Sequence, residues 1–397
     1  MIKNELYEDL KAEVERRFAD IVKIRRVLHQ NPELSGEEFS TARLVYTTLK
    51  EWGFEPRYHL NKTAVSVKIE NGDGKTVVLR ADMDALPLLE ENQVPYCSKN
   101  PGVMHACGHD MHTAILLGAA DILQNFRQHW KGTLLCLFQP SEEQEPGGAY
   151  GLMEQGVFPR NADAVFGLHV SADHPTGTIG IKEGFDYAGV TTFDVTVRGR
   201  GGHGATPEKT IDPIVCTASM ISALQTLISR ELSPFAPAVL TIGSVHAGTK
   251  RNIIPDTASF AGTLRSHDSA RMEYLIDRIS TCLKNTATAF RADCEVEFNR
   301  SYPPGYNDPA LSQRATEIYS SFFGKESVIE RSLATMYAED FSRYQQCAPG
   351  LFIHLGVRPL DRDTMEGIHT PRFLPDESAI KSGMVSHVLF ALDNLVI

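Results

Sequence analysis

What the sequence lacks sets the first limits. None of its apolar runs approaches the roughly 18 residues that a membrane-crossing helix needs, so no contact with a bilayer is expected. The cysteines (Cys97, Cys107, Cys136, Cys216, Cys282, Cys294 and Cys347) are odd in number and show no framework spacing, which points to a reducing cytoplasm without disulfides. Basic residues are in deficit: 39 Lys and Arg against 50 Asp and Glu leave a formal charge of -11, a poor surface for nucleic acid or an anionic membrane. No repeat and no low-complexity tract interrupts the chain. The first thirty residues have no apolar core of the signal-peptide kind. Leu6, Leu10, Val14, Phe18 and Ile21 recur at helical spacing instead, which predicts an amphipathic helix of the mature fold. A protein that acts on small molecules is left.

With 397 residues, 42% of them hydrophobic, the chain exceeds the size at which one core stops growing, so a large domain with a smaller one is expected. In the first half, short apolar runs such as TVVLRA (76–81), GTLLCLF (132–138) and DAVFGL (163–168) alternate with helical patterns such as TAILLGAADILQNF (113–126). Runs of this kind suit strands buried on both faces of a mostly parallel α/β sheet. From residue 186 the order becomes strand, helix, strand, strand, helix, strand, the split ferredoxin-like order. The expected organisation is one α/β domain made of residues 1–185 and 303–397, with an α+β domain of residues 186–302 inserted into it.

Open α/β sheets bind ligands beyond the carboxyl ends of their strands. Asp82 and Asp84 follow the first run, Glu142 and Glu143 the second and His169 the third, while MHACGHDMHT (104–113) puts Cys107 and His109 just before a helix and GIHTPRF places His369 in a loop. Taken singly, a cysteine reads as an inert buried thiol, a histidine as a satisfied core residue and an acidic pair as a solvated helix start. Thiol, imidazole and carboxylate delivered to one rim of the sheet read instead as a metal centre. A catalytic zinc usually takes three protein ligands, and Cys107, His109, Glu143, His169 and His369 are five, so two metal ions fit better than one. The donor set suits Zn²⁺ best and also admits Mn²⁺ or Co²⁺. Adjacent glutamates reach one metal poorly together, which leaves Glu142 free to take a proton from the attacking water.

The strings RADMDALP, MHACGHD, FQPSEE, FGLHV, GGHGATP, NIIPD and GIHTP occur in this order along nearly the whole chain. In them the sequence resembles the bacterial and plant N-acyl-amino-acid amidohydrolases, among them hippurate hydrolase and indoleacetyl-amino-acid hydrolase, a branch of the aminoacylase and carboxypeptidase clan of two-metal peptidases. The resemblance implies that Cys107, His109, Glu143, His169 and His369 bind two metals, with Glu142 as general acid/base and Asp84 orienting a ligand; it leaves the role of Asp82 open. It further implies that the insertion is a lid and a dimerisation surface, that His203 stabilises the oxyanion in a neighbouring site, and that Asn252 and Arg265 hold the substrate carboxylate.

The implied activity is hydrolysis of an N-acyl-L-amino acid to a carboxylate and an amino acid. A dipeptidase or carboxypeptidase using the same centre is the alternative, and a catalytically silent binding relative is a third reading against which the presence of Glu142 weighs. Two departures bear on specificity: Thr370 stands where many relatives have a second histidine, and Tyr337-Ala338 where many have Gly-Ser. The acyl group is therefore not transferable.

Overall fold

A computed structural model describes residues 4–395. The chain divides into two compact units: the first takes the chain up to Gly184, then Tyr306–Leu333 and everything from Asp340 on, and the second is Phe185–Gly305 together with Ala334–Glu339. That last six-residue return into the second unit has no signature in the hydrophobic pattern.

The first unit is built on an eight-stranded mixed sheet in the order Arg57–His59, Ala64–Asn71, Gly132–Gln139, Thr76–Asp82, Ala164–Pro175, Gly350–Arg358, Ile179–Ile181, Val328–Glu330. The four strands from Gly132–Gln139 to Gly350–Arg358 are mutually parallel, and antiparallel pairings flank them. Val77 to Asp82 and Leu134 to Gln139 are buried without a break, as strands covered on both faces must be. The helix His109–Asn125 is buried on every side from His109 to Leu123 and packs against the helices Asn4–Gln30 and Ala379–Asn394. This explains its nearly continuous apolar sequence, since a helix covered on all sides has no need of a polar stripe. The opening amphipathic helix is present from Asn4 and buries Leu10, Val14 and Ile21; residues 1–3 of that expectation lie outside the described residues.

One strand differs from its expected extent. The run predicted to end at Leu168 continues to Pro175, so His169 lies inside a strand and not behind it. Pairing with Gly350–Arg358 goes on past His169, but pairing with Thr76–Asp82 stops at Leu79 opposite Phe166. From Gly167 onward the strand has a neighbour on one side only, and a split of this kind between parallel strands is where open sheets take ligands.

In the second unit, Ala238–Ala247, Thr257–Ser266, Gly189–Arg198 and Asp293–Arg300 form an antiparallel sheet in that spatial order. With the helices Pro213–Glu231 and Ser269–Ala289 it has the ferredoxin-like layout. Phe193, Val195, Val197, Phe260 and Leu264 alternate toward Met220, Leu224, Leu275 and Leu283 of the two helices, giving this unit its own core. Asp212 and Asp268 cap the helices by accepting from Ile214 N at 2.9 Å and Arg271 N at 2.9 Å.

Candidate metal centre

Four segments converge beside the split in the sheet. Asp82 ends the strand Thr76–Asp82, with Asp84 two residues on. Cys107 and His109 flank Gly108, which adopts φ +84° at the start of the buried helix. A β-carbon there would lie 2.5 Å from Val170 Cγ2, so glycine is required both for the left-handed turn and for the close approach of the two flanking side chains to the sheet. Ser141 at φ +55° turns the chain after Gln139 and presents Glu142 and Glu143, while His369 itself sits at φ +61° and donates its backbone N–H to Ala106 O at 2.8 Å. Left-handed conformations cost a non-glycine residue roughly 1–2 kcal/mol each, and their occurrence on two converging loops marks strain held at a functional site.

The side-chain atoms form two triads that share one thiol: Cys107, His109 and His169 on one side, and Cys107, Glu143 and His369 on the other. Cys107 Sγ lies 3.3 Å from His169 Nε2 and 3.3 Å from His369 Nε2. His369 Nε2 is 3.0 Å from Glu143 Oε1, and His109 Nε2 is 4.0 Å from the same oxygen. A tetrahedral zinc with Zn–N of about 2.0–2.1 Å and Zn–S of about 2.3 Å would hold such donors roughly 3.6 Å apart, so the separations fit shared cations. His109 Nε2 is buried yet has no hydrogen-bond partner among the described residues, an expensive state for a polar atom unless a ligand takes it up.

Electrostatics agree with the geometry. Burial works against a charged His109, but Asp82, Asp84 and Glu143 outweigh it and hold its pKa up to about 10, so the carboxylates demand positive charge in their midst. Burial and the neighbouring Glu143, Glu142 and Asp82 push the Cys107 thiol well above its ordinary range, so it becomes a thiolate only when a cation joins it. Burial and the adjacent His112 and His109 hold His169 well below its usual value, in the neutral form a ligand requires. The donor set therefore fits two divalent cations. Asp84 accepts from His109 Nδ1 at 3.1 Å and from the backbone N–H of Glu143 at 2.9 Å, tying members of the two triads to one carboxylate.

Beneath this layer lie residues to which the motif reading assigned no role. Asp82 accepts from His112 Nδ1 at 2.6 Å, and His112 Nε2 accepts the backbone N–H of Val170 at 3.0 Å, so both nitrogens of His112 are engaged and it steadies the strand beside His169. Asp82 thus touches the site through His112 and Arg80; His109 Nε2 of the first triad is 3.8 Å away from it. The fully buried Arg80 guanidinium joins Asp82 at 2.7 Å, Asp340 at 2.7 Å and Gln139 at 3.0 Å, and Tyr344 donates to Gln139 at 2.9 Å. A charged residue inside the apolar run TVVLRA was the available signal, since a buried guanidinium must have partners. His112 stands three positions from His109 on the same helical face, a second signal of the same kind.

The remaining candidates belong to the second unit. His203 is exposed on a short ribbon in which it pairs with Ile253, and Gly204 donates to Asn252 O at 2.9 Å, so His203 and Asn252 are neighbours. Arg265, half-buried on the strand Thr257–Ser266, donates to Met336 O at 2.8 Å within the same unit.

Residues 78–393 match the family described as peptidase family M20/M25/M40. The chain is 40% identical to thermostable carboxypeptidase 2 of Saccharolobus solfataricus over 98% of each protein. It is 39% identical to the N-acetyl-L-cysteine deacetylase of Bacillus subtilis over 91% of this chain and 84% of that one. Among solved structures, the YXEP protein of Bacillus subtilis, a dinuclear metal binding peptidase from the M20 family, matches with a TM-score of 0.84 at 32% identity, covering 96% of this chain and 99% of the other.

Arg80→Met removes the cation between Asp82 and Asp340 while filling the space it leaves. A loss of about 3–5 kcal/mol is expected, as for breaking a buried ion pair from one side. Urea unfolding of the metal-free protein, compared with the native chain, checks it.

Proposed function

The chain belongs to peptidase family M20/M25/M40, and from that membership we propose a metal-dependent amidohydrolase that splits the amide of an N-acyl-L-amino acid into a carboxylate and a free amino acid. The observation that carries this reading is Glu142, a buried carboxylate close to His109 and Glu143 that lies outside the two triads sharing Cys107. Cys107, His109, Glu143, His169 and His369 would hold two cations, Zn²⁺ by donor preference, with Mn²⁺ or Co²⁺ able to replace it. When bound, the ions supply Lewis-acid polarisation of the scissile carbonyl and acidify the attacking water. Glu142 removes the proton from that water and returns it to the leaving nitrogen. Asp84 fixes the tautomer and the angle of His109. His203 donates to the oxyanion, and Asn252 and Arg265 grip the substrate carboxylate.

The same reading makes the inserted unit a lid and the seat of a homodimer, with His203 serving the partner's site. Support comes from the exposed apolar side chains Ile214, Val215, Val245 and Ile253 on that unit and from the edge position of Ala238–Ala247 in its sheet. Among the described residues, no helix is long and apolar enough to cross a membrane, and the chemistry suits a cytoplasmic enzyme of small-molecule metabolism. A carboxypeptidase action on peptides is the second reading, favoured by the name of the Saccharolobus relative. Turnover of acetyl, benzoyl and indoleacetyl amino acids, measured beside dipeptides, separates the two.

Chelation should abolish hydrolysis and Zn²⁺, Mn²⁺ or Co²⁺ should restore it; full activity in protein shown metal-free by elemental analysis would refute the assignment. Glu142→Gln should keep two metal equivalents yet lose turnover by at least about 10², whereas loss of metal together with activity would make Glu142 a ligand. Preparations of His203→Ala and Glu142→Gln, each inactive, should regain at most about a quarter of native activity per subunit once their subunits exchange, because half of the dimers then contain one intact site, a recovery well above the roughly 10²-fold deficits of the parents. A mixture that stays inactive despite proven exchange would confine His203 to its own chain.

A further inference from the structure

The loop before the helix Phe39–Glu51 carries a carboxyl group that the mechanism above does not use. Glu38 is fully buried and occupies the N-cap position of that helix, yet its side chain caps nothing. Glu33 does the capping instead, accepting from Ser40 N at 3.0 Å and Thr41 N at 2.8 Å. Relieved of that task, Glu38 turns inward. Its Oε1 accepts the backbone N–H of Gly36 at 3.0 Å and that of Ser141 at 2.8 Å, while its Oε2 is buried with no hydrogen-bond partner among the described residues.

Ser141 is the left-handed residue that precedes Glu142 and Glu143. Within this acidic pair, two residues after Ser141, the Glu143 backbone N–H is held by Asp84 Oδ2, and that same oxygen accepts from Ser35 Oγ at 2.7 Å. The two clamps on the Glu142-Glu143 turn are therefore both anchored in one loop, Ser35 to Glu38, which lies about a hundred residues away in sequence. A backbone turn in a strained conformation relaxes unless its surroundings hold it on both sides.

We propose that Glu38 is a positioning residue of the metal centre: by accepting the Ser141 N–H it holds the left-handed turn that aims Glu143 at the cations and Glu142 at the substrate. The role rests on the metal-dependent reading above, and its consequence is measurable as metal affinity with no substrate present. The function required is that of an acceptor with the reach of a glutamyl side chain and not that of a negative charge. Glutamine keeps the accepting oxygen and the length of the side chain, and burial and the charge of Asp84 push the Glu38 carboxyl up to about 8.

The test is competition for Zn²⁺ between the full-length protein and a chromophoric chelator. Native protein and Glu38→Gln should bind two equivalents with similar affinity. Glu38→Asp keeps the charge but falls short of Ser141 by one methylene, and at least one equivalent should weaken 10- to 100-fold, the usual cost of losing a group that orients a ligand. Tight binding by Glu38→Asp, or equal weakening in Glu38→Gln and Glu38→Asp, overturns the proposal. Thermal melts of the metal-free proteins show whether each variant folds. Should Glu38→Asp fail to fold, Glu38→Gln decides: retained affinity with a slowly exchanging Ser141 amide supports the role, and lost affinity in the folded protein overturns it. A native chain that binds no zinc removes the functional reading and this role together, whereas normal native binding matched by Glu38→Asp removes this role alone.

Discussion

Four carboxylates, Asp82, Asp84, Glu142 and Glu143, crowd into the cleft beside the split in the sheet, two of them without any exposure, and such a group is tolerable only if positive charge is placed among them. Arg80 supplies one charge from below, inserted between Asp82 and Asp340. A protonated His109 supplies another when cations are absent, which is why neighbouring carboxylates hold its proton so firmly. Divalent cations are the natural replacement, since they bring more charge than a proton and use the thiol, imidazole and carboxylate atoms already facing one another.

This demand for compensation organises the rest of the first unit. The sheet separates after Phe166, opening the position at which His169 meets Cys107. The buried helix begins at His109, so that this donor is set by a helix buried on every side. Left-handed residues at Gly108, Ser141 and His369 bend three segments inward, and each is held by close packing or by a backbone hydrogen bond. On the proposed reading this rigidity serves chemistry, because a base at Glu142 and a metal ligand at Glu143 can divide their tasks only if the turn between them does not drift.

The second unit answers to different physics. Its core is an ordinary sheet and helix interface, closed by alternating Phe, Val and Leu, and its polar candidates stand on an exposed ribbon and a strand. The element order, the alternation and the two aspartate caps are all local signals, and for that reason the ferredoxin-like layout is readable from the chain. The joining of Ala334–Glu339 to this unit is not readable, because six residues in irregular conformation leave no periodic trace.

What the sequence by itself determined is the type of each element and the identity of the chemical groups. Hydrophobic runs of strand length, one helix apolar on every side, and Cys, His and Glu at strand ends and loop starts are properties of neighbouring residues, and local periodicity and side-chain chemistry suffice to read them. Only the tertiary structure decided how those groups share the work. That the Cys107 thiol belongs to two triads, that His112 is spent on Asp82 and Val170, that Arg80 bridges Asp82 and Asp340, and that Glu38 reaches Ser141 all depend on distances between segments as much as 262 residues apart. Such pairings leave no imprint on either segment alone, because a buried charge specifies that it must have a partner but not where in the chain the partner lies.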